Sequence, residues 1–231
     1  MNAHVKMIVA VAEKLGAELL RDVVLVGGCS TGLLTDTVAL NDIRHTEDVD
    51  LIVHVVGMAG WYALQGRLEA RGFKQTDANE GEPVCAMKCG QLRVDFMPDD
   101  PKILGFSNRW YTDALQYAIE RTIEGHVIRL VSPVYFLATK LEAYRGRGNG
   151  DLLESRDIED MVVLLAGRDA LMVELAGADP ELRVYLRESI GELVSDPDIE
   201  YAVIGSLGGD KFRAQRVHHR MRNIAQGSFN D

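Results

Sequence analysis

Three aspartates are the residues of this 231-residue chain whose spacing invites chemistry. Asp48 and Asp50 stand two apart at the head of the apolar run DVDLIVHVV, and Asp95 lies inside a second run, QLRVDFM. Side chains at i and i+2 of a strand leave the same face, so Asp48 and Asp50 project together. Two carboxylates held that close repel, and one stays protonated unless a cation lies between them. Mg²⁺, or Mn²⁺ in its place, is the natural counter-charge. Such an ion takes one or two carboxylates and fills its shell with phosphate oxygens and water. Asp95 shares its strand face with Arg93 and Met97, opposite Val94 and Phe96, where an acid is costly unless solvated or paired. Laid beside the first strand, Asp95 makes a third ligand. Three acids can hold two metals about 3.5–4 Å apart, the arrangement used for in-line displacement at phosphorus. The blander readings are a solvated strand end for Asp48 and Asp50, and an ion pair with Arg93 or Lys88 for Asp95.

A second feature is LVGGCSTGLL, residues 25–34. Two glycines between a strand and a helix let the backbone approach a ligand, and the amides and helix N-terminus that follow can bind phosphate. The run is neither a Walker A loop nor the dinucleotide fingerprint, and a plain tight turn also accounts for Gly27 and Gly28.

These residues need elements to hold them. Periodicity predicts a helix over 4–20, a buried strand over 23–26, a helix opening near 30–34, and polar irregular chain over 35–47. A strand follows over 48–56, a helix over 59–71, two strands over 83–90 and 91–97 joined by a turn at Gly90, a helix over 109–121 and a strand over 125–131. The character changes at Ser132-Pro133, a capping hydroxyl followed by proline at the first helical position. Helices are expected over 133–146, 155–166, 169–177, 180–195 and 211–224. The fold class is α+β: an α/β domain over 1–131 and a helical domain over 132–231.

Composition fits this picture. The chain is 47% apolar and 26% charged, as in soluble globular proteins. No run of eighteen apolar residues is present, so no membrane partner is expected. Glu13 and Lys14 interrupt the N-terminal apolar stretch, which reads as an amphipathic helix and not as a signal peptide. Three cysteines, Cys29, Cys85 and Cys89, fit a cytoplasmic location and lack the partners of a structural zinc site. A formal net charge of −10 argues against a protein that coats nucleic acid. One basic run, KFRAQRVHHRMR, carries Lys211, Arg213, Arg216, Arg220 and Arg222 without an acid. It reads as a solvated helix face or as a contact for RNA or phosphate.

Taken together, GGCSTGLL, RHTEDVDLIV and RVDFM resemble the DNA polymerase beta-like nucleotidyltransferase superfamily. KLEAYRGRGNGDLLESRDIEDMVVLL, with Lys140, Arg145, Arg156, Asp157 and Asp160, is similar to the helical region of AbiEii-type (type IV toxin-antitoxin) minimal nucleotidyltransferases. The resemblance covers residues 23–166. It departs from the pattern at Cys29, where Ser or Thr commonly follows the glycine pair, and in a longer gap between the glycines and Asp48.

The resemblance implies a nucleotidyltransferase-like mixed sheet flanked by helices, then a helical bundle. It implies a Mg²⁺- or Mn²⁺-dependent, nucleotide-binding transferase that moves an NMP from an NTP to a hydroxyl and releases pyrophosphate. Asp48 and Asp50 would hold the ion that bridges the triphosphate. Asp95 would hold a second ion and act as general base. Gly27, Gly28 and Ser30 would cradle phosphate, Thr46 and Arg44 would position the loop before the acids, and Lys140 would reach the triphosphate. Asp157 and Asp160, at i and i+3 of one helix, are expected to pair with Arg145 or Lys140. Implied partners are the nucleoside triphosphate, an RNA or protein acceptor, and an antitoxin. The alternatives are a small-molecule transferase of the aminoglycoside type and a degenerate fold kept for nucleotide binding or interaction.

Overall fold

A computed structural model describes residues 3–36, 43–76, 83–147 and 150–229. The chain packs as two compact units: residues 1–30 with 45–132, and residues 31–44 with 133–231. The expected irregular chain of 35–47 and the glycine-rich stretch 146–150 lie partly outside the described residues.

The first unit is built on a mixed sheet. Its strands are β1 (Val23–Val26), β2 (Asp48–Val53), β3 (Lys74–Gln75), β4 (Ala86–Cys89), β5 (Leu92–Pro98), β6 (Ile119–Ile123) and β7 (His126–Leu130), in the order β3-β4-β5-β2-β1-β7-β6. β1 lies inside the sheet, between β2 and β7, because VVLV is apolar on both faces, and all four residues are buried. β2 runs antiparallel to β1 and parallel to β5. α1 (Ala3–Leu20) packs one apolar stripe inward, including Ile8, Val11, Leu15 and Leu19, and is interrupted by non-helical backbone at Gly16. α3 (Gly57–Ala70) buries Trp61, Leu64 and Leu68, as its spacing foretold. Phe73 meets Phe96 of β5 edge to face, with centroids 5.5 Å apart.

Several stretches differ from the sequence expectation. β2 ends at Val53, and α3 begins at Gly57. The helix expected over 109–121 is only α5, Tyr111–Gln116, and Ile119–Ile123 forms β6 instead. The cause is the turn that follows. Ile123 faces His126 across a two-residue loop, and its residues Glu124 and Gly125 both have positive φ, 47° and 82°. This is the primed geometry that closes tight hairpins, and it ties β6 to β7 against the helical preference of the preceding residues. The short helix α4, Pro101–Leu104, was also not expected; Asp100 caps it by accepting from the Lys102 amide.

The second unit is helical: α2 (Thr31–Leu34), α6 (Pro133–Gly146), α7 (Arg156–Gly167), α8 (Leu171–Ala176), α9 (Pro180–Val194), α10 (Ile199–Ser206) and α11 (Lys211–Ala225). α10 is a further helix beyond those expected. α7 is its buried centre, carrying Met161, Val162, Leu164 and Leu165. Ser155 caps α7 at one end by accepting from the Ile158 amide. Arg220 of α11 completes the other end, donating to the carbonyls of Leu165 and Arg168, each at 2.9 Å. A helix C-terminus leaves carbonyls unpaired and favours a cation, which explains why Arg220 is only 2% exposed. The basic run of α11 is therefore not one uniform solvated face.

Candidate metal centre

Register places the three acids. In the parallel pairing of β2 with β5, Asp48 faces Arg93 and Asp50 faces Asp95. Alternation then puts Asp48, Asp50, Arg93 and Asp95 on one face of the sheet. One carboxylate oxygen from each aspartate lies within 4.8 Å of the other two. Asp95 is buried, and Asp48 and Asp50 are half-buried. Thr46, buried just before the strand, donates its hydroxyl to Asp48.

β1 delivers the glycine turn to the same place, since Val26 pairs with Asp50. Gly27 has φ of 76°, and a Cβ there would sit 1.8 Å from Asp50 Oδ2. Only glycine allows both the backbone angle and that approach. Gly28, Cys29 and Ser30 form a 3₁₀ turn. The Ser30 hydroxyl donates back to the Gly27 carbonyl at 2.7 Å and is fully buried, so it closes the turn. Cys29 points its thiol at the His4 carbonyl, 3.8 Å away.

Arg93 brings a positive charge to this face, and Lys88, its partner in the β4–β5 register, stands on the same face. The Arg93 Nη2 donates to Asp48 Oδ2 at 2.7 Å and Asp95 Oδ2 at 3.0 Å, and its Nε donates to Asp95 Oδ1 at 3.1 Å. The ion pair weighed for Asp95 in the sequence is thus present, together with the clustering of acids. Cys85 was not singled out by the sequence as part of this region. Burial, then the charge of Asp95 and more weakly that of Asp50, push its thiol up to about 12. Without a metal it is a neutral thiol beside the acids.

In the second unit, Lys140 is 6% exposed and pairs with Asp160 at 2.6 Å and Asp157 at 3.3 Å. Arg44 forks onto both oxygens of Asp160 at 3.1 Å, and Thr31 donates to it at 3.4 Å. Arg147 meets Asp157 at 3.1 Å. Burial pushes the Asp160 carboxyl up, but Lys140 and Arg44 outweigh it and hold the group below the ordinary carboxylate range. Arg145 pairs with Glu192 rather than with these acids, and Arg156 is exposed at the start of α7.

Among the described residues, no helix is long and apolar enough to cross a membrane. No family model matches the chain, and no curated protein matches it. Among solved structures it is similar to an antigenic nucleotidyltransferase-like protein from Paracoccidioides brasiliensis, with 22% identity over 87% of this chain and 92% of that chain and a TM-score of 0.49.

Proposed function

We propose that the chain is a metal-dependent nucleotidyltransferase that moves an NMP from an NTP to a hydroxyl acceptor. The observation that carries this reading is the convergence of Asp48, Asp50 and Asp95 within 4.8 Å on one sheet face, beside a glycine turn that a side chain would block. The donor set fits a hard divalent ion, since every candidate ligand atom is a carboxylate oxygen. When bound, such an ion neutralises triphosphate charge and polarises the reacting oxygens. The chain's own residues do the rest. Asp48 and Asp50 provide the triphosphate-side ligands, with Thr46 steadying Asp48. Asp95 provides the acceptor-side ligand and the base for the hydroxyl proton. The backbone of Gly27 and Gly28 approaches phosphate closely, with Ser30 holding the turn's shape. A triphosphate contact by Lys140 belongs to the same proposal, but it requires Lys140 to leave Asp157 and Asp160.

For the acceptor we favour RNA or protein, with a toxin role opposed by an antitoxin as its setting. The support is the basic run of α11. Arg220's inward turn takes one of its five charges away, which makes a small hydroxylated acceptor of the aminoglycoside type the second reading. The acid triad with its glycine turn speaks against a degenerate binding protein.

The test has two arms. Each α-labelled NTP is incubated with the protein, Mg²⁺ or Mn²⁺, and total RNA, lysate protein or an aminoglycoside, and the labelled species is identified. In parallel, triphosphate binding is measured with and without metal. It is expected to tighten with metal in the wild type and to lose that response in Asp48→Ala/Asp50→Ala. Equal wild-type affinity in both conditions would sink the metal-centre reading.

A further inference from the structure

Arg93 occupies carboxylate oxygens of Asp48 and Asp95 that the proposed ion would use. Its Nη2 lies within 3.0 Å of one oxygen of Asp48 and one of Asp95, and Nε takes the second oxygen of Asp95. An ion that bridged Asp48 and Asp95 through these oxygens would bind them at about 2.0–2.1 Å. Two cations cannot share that space. The arrangement is also set by the fold and not by a wandering surface side chain, because Arg93 is in register with Asp48 and two residues from Asp95 on the same strand face.

We propose that Arg93 is the resident counter-cation of the acid centre, which a divalent ion must displace from Asp48 and Asp95 before the centre can work. This inference rests on the metal-centre reading above. It gives the centre two states. In one, a guanidinium neutralises part of the charge of Asp48 and Asp95 and holds these two acids together without metal. In the other, the ion takes the acids and the guanidinium is released. A bare ion must break charge-assisted hydrogen bonds to enter. A triphosphate entering with the ion brings anionic oxygens that the released guanidinium can meet, so ion and triphosphate favour each other's binding. Arg93 thereby makes the centre prefer the metal–triphosphate complex over the free metal.

The experiment measures Mn²⁺ binding directly, by calorimetry and by loss of the free-ion paramagnetic signal. It uses the full chain, with and without a triphosphate carrying a non-hydrolysable α–β bridge. Arg93→Gln is expected to bind Mn²⁺ alone at least about tenfold more tightly than wild type, as expected when charge-assisted bonds no longer oppose entry. The gain in Mn²⁺ affinity on adding the triphosphate is expected to shrink. Mn²⁺ should also raise the melting temperature of Arg93→Gln more than that of wild type, because its metal-free acids are less compensated. Arg93→Lys keeps the charge, loses the fork, and serves where Arg93→Gln does not fold; its Mn²⁺ affinity should rise by a smaller factor. Unchanged or weaker Mn²⁺ binding in a folded variant, with wild type binding normally, overturns the inference and makes Arg93 a residue that only steadies the ligands. Absence of Mn²⁺ binding by wild type and variants alike overturns the metal-centre reading and this inference with it.

Discussion

The described residues include two clusters of buried or half-buried carboxylates, and they end in opposite states. In the sheet unit, Asp48, Asp50 and Asp95 lie together, with Arg93 bonded to Asp48 and Asp95 and with Asp48 and Asp50 only half-buried. In the helical unit, Asp157 and Asp160 are met by Lys140, Arg44 and Arg147, and both acids are 2% exposed. The residue type is the same. What differs is the ratio of charges and the access of water. Clustered acids that water can reach repel and can take up a further cation. A buried cluster with enough cations is closed, and removing any member leaves a charge without its partner. The first arrangement suits chemistry and the second suits architecture.

The largest effect that would sharpen this contrast is at Asp95. Asp95→Asn keeps the size, removes the charge and removes the candidate base. Nucleotide binding should survive through Asp48 and Asp50, while transfer falls by about 10²–10⁴-fold, the usual worth of a general base. Some stability should be lost as well, since Arg93 forks onto both Asp95 oxygens. Measuring labelled transfer and nucleotide affinity on one folded preparation separates the two effects. Near-normal transfer would place Asp95 with the architectural acids and erase the distinction.

Next in size is Lys140→Met, which tests the other cluster. Breaking a buried pair typically costs about 3–5 kcal/mol, and denaturant unfolding should show a loss of that order. The acid limb should move too. Asp160 is held below the ordinary carboxylate value, so its contribution is fully present above that value and is lost as pH falls through the lowered one. With Lys140 gone the depression shrinks, so the loss contributed by Asp160 should be smaller and should be complete at a higher pH. If instead Lys140→Met folds with normal stability and binds triphosphate poorly but monophosphate normally, Lys140 serves the nucleotide and the closed cluster is misread.

The sequence carried the first cluster further than the second. Period-two alternation put Asp48 with Asp50 and Arg93 with Asp95 on shared faces, because side-chain direction in a strand is local. That β2 lies parallel to β5, giving the Asp50–Asp95 pairing, is a long-range choice that no window of residues holds. The same limit hid Arg44: its partner Asp160 is 116 residues away. It also hid Arg220, which reads as one of a basic run until α7 presents its terminal carbonyls. The i, i+3 spacing of Asp157 and Asp160 did announce a shared partner, and of the two candidates Lys140 is paired and Arg145 is not. β6 was lost for a different reason. Residues 111–118 carry a real helical signal, and the primed turn at Glu124-Gly125 captures only the chain that follows.

The smallest expected effect is on stability at Asp50, and it gives the contrast its sign. Asp50 faces Asp95 across the strands, and its carboxylate packs against the Gly27 backbone. Asp50→Asn keeps that shape and removes one of three clustered negative charges. Relief of repulsion should therefore offset whatever polar contact is lost, leaving stability unchanged or raised by up to about 1 kcal/mol, within the range of ordinary substitutions away from closed networks. Salt supplies a second reading. Repulsion among half-exposed acids is screened as ionic strength rises, so wild type should gain stability from added monovalent salt and Asp50→Asn should gain less. The Mn²⁺-induced rise in melting temperature should fall in the same variant, because an amide oxygen is a poorer ligand for a hard ion than a carboxylate. A loss of several kcal/mol in Asp50→Asn, like that expected for Lys140→Met, would mean that the acids of the sheet are as tightly compensated as those of the helices and that their openness to a metal is only geometric.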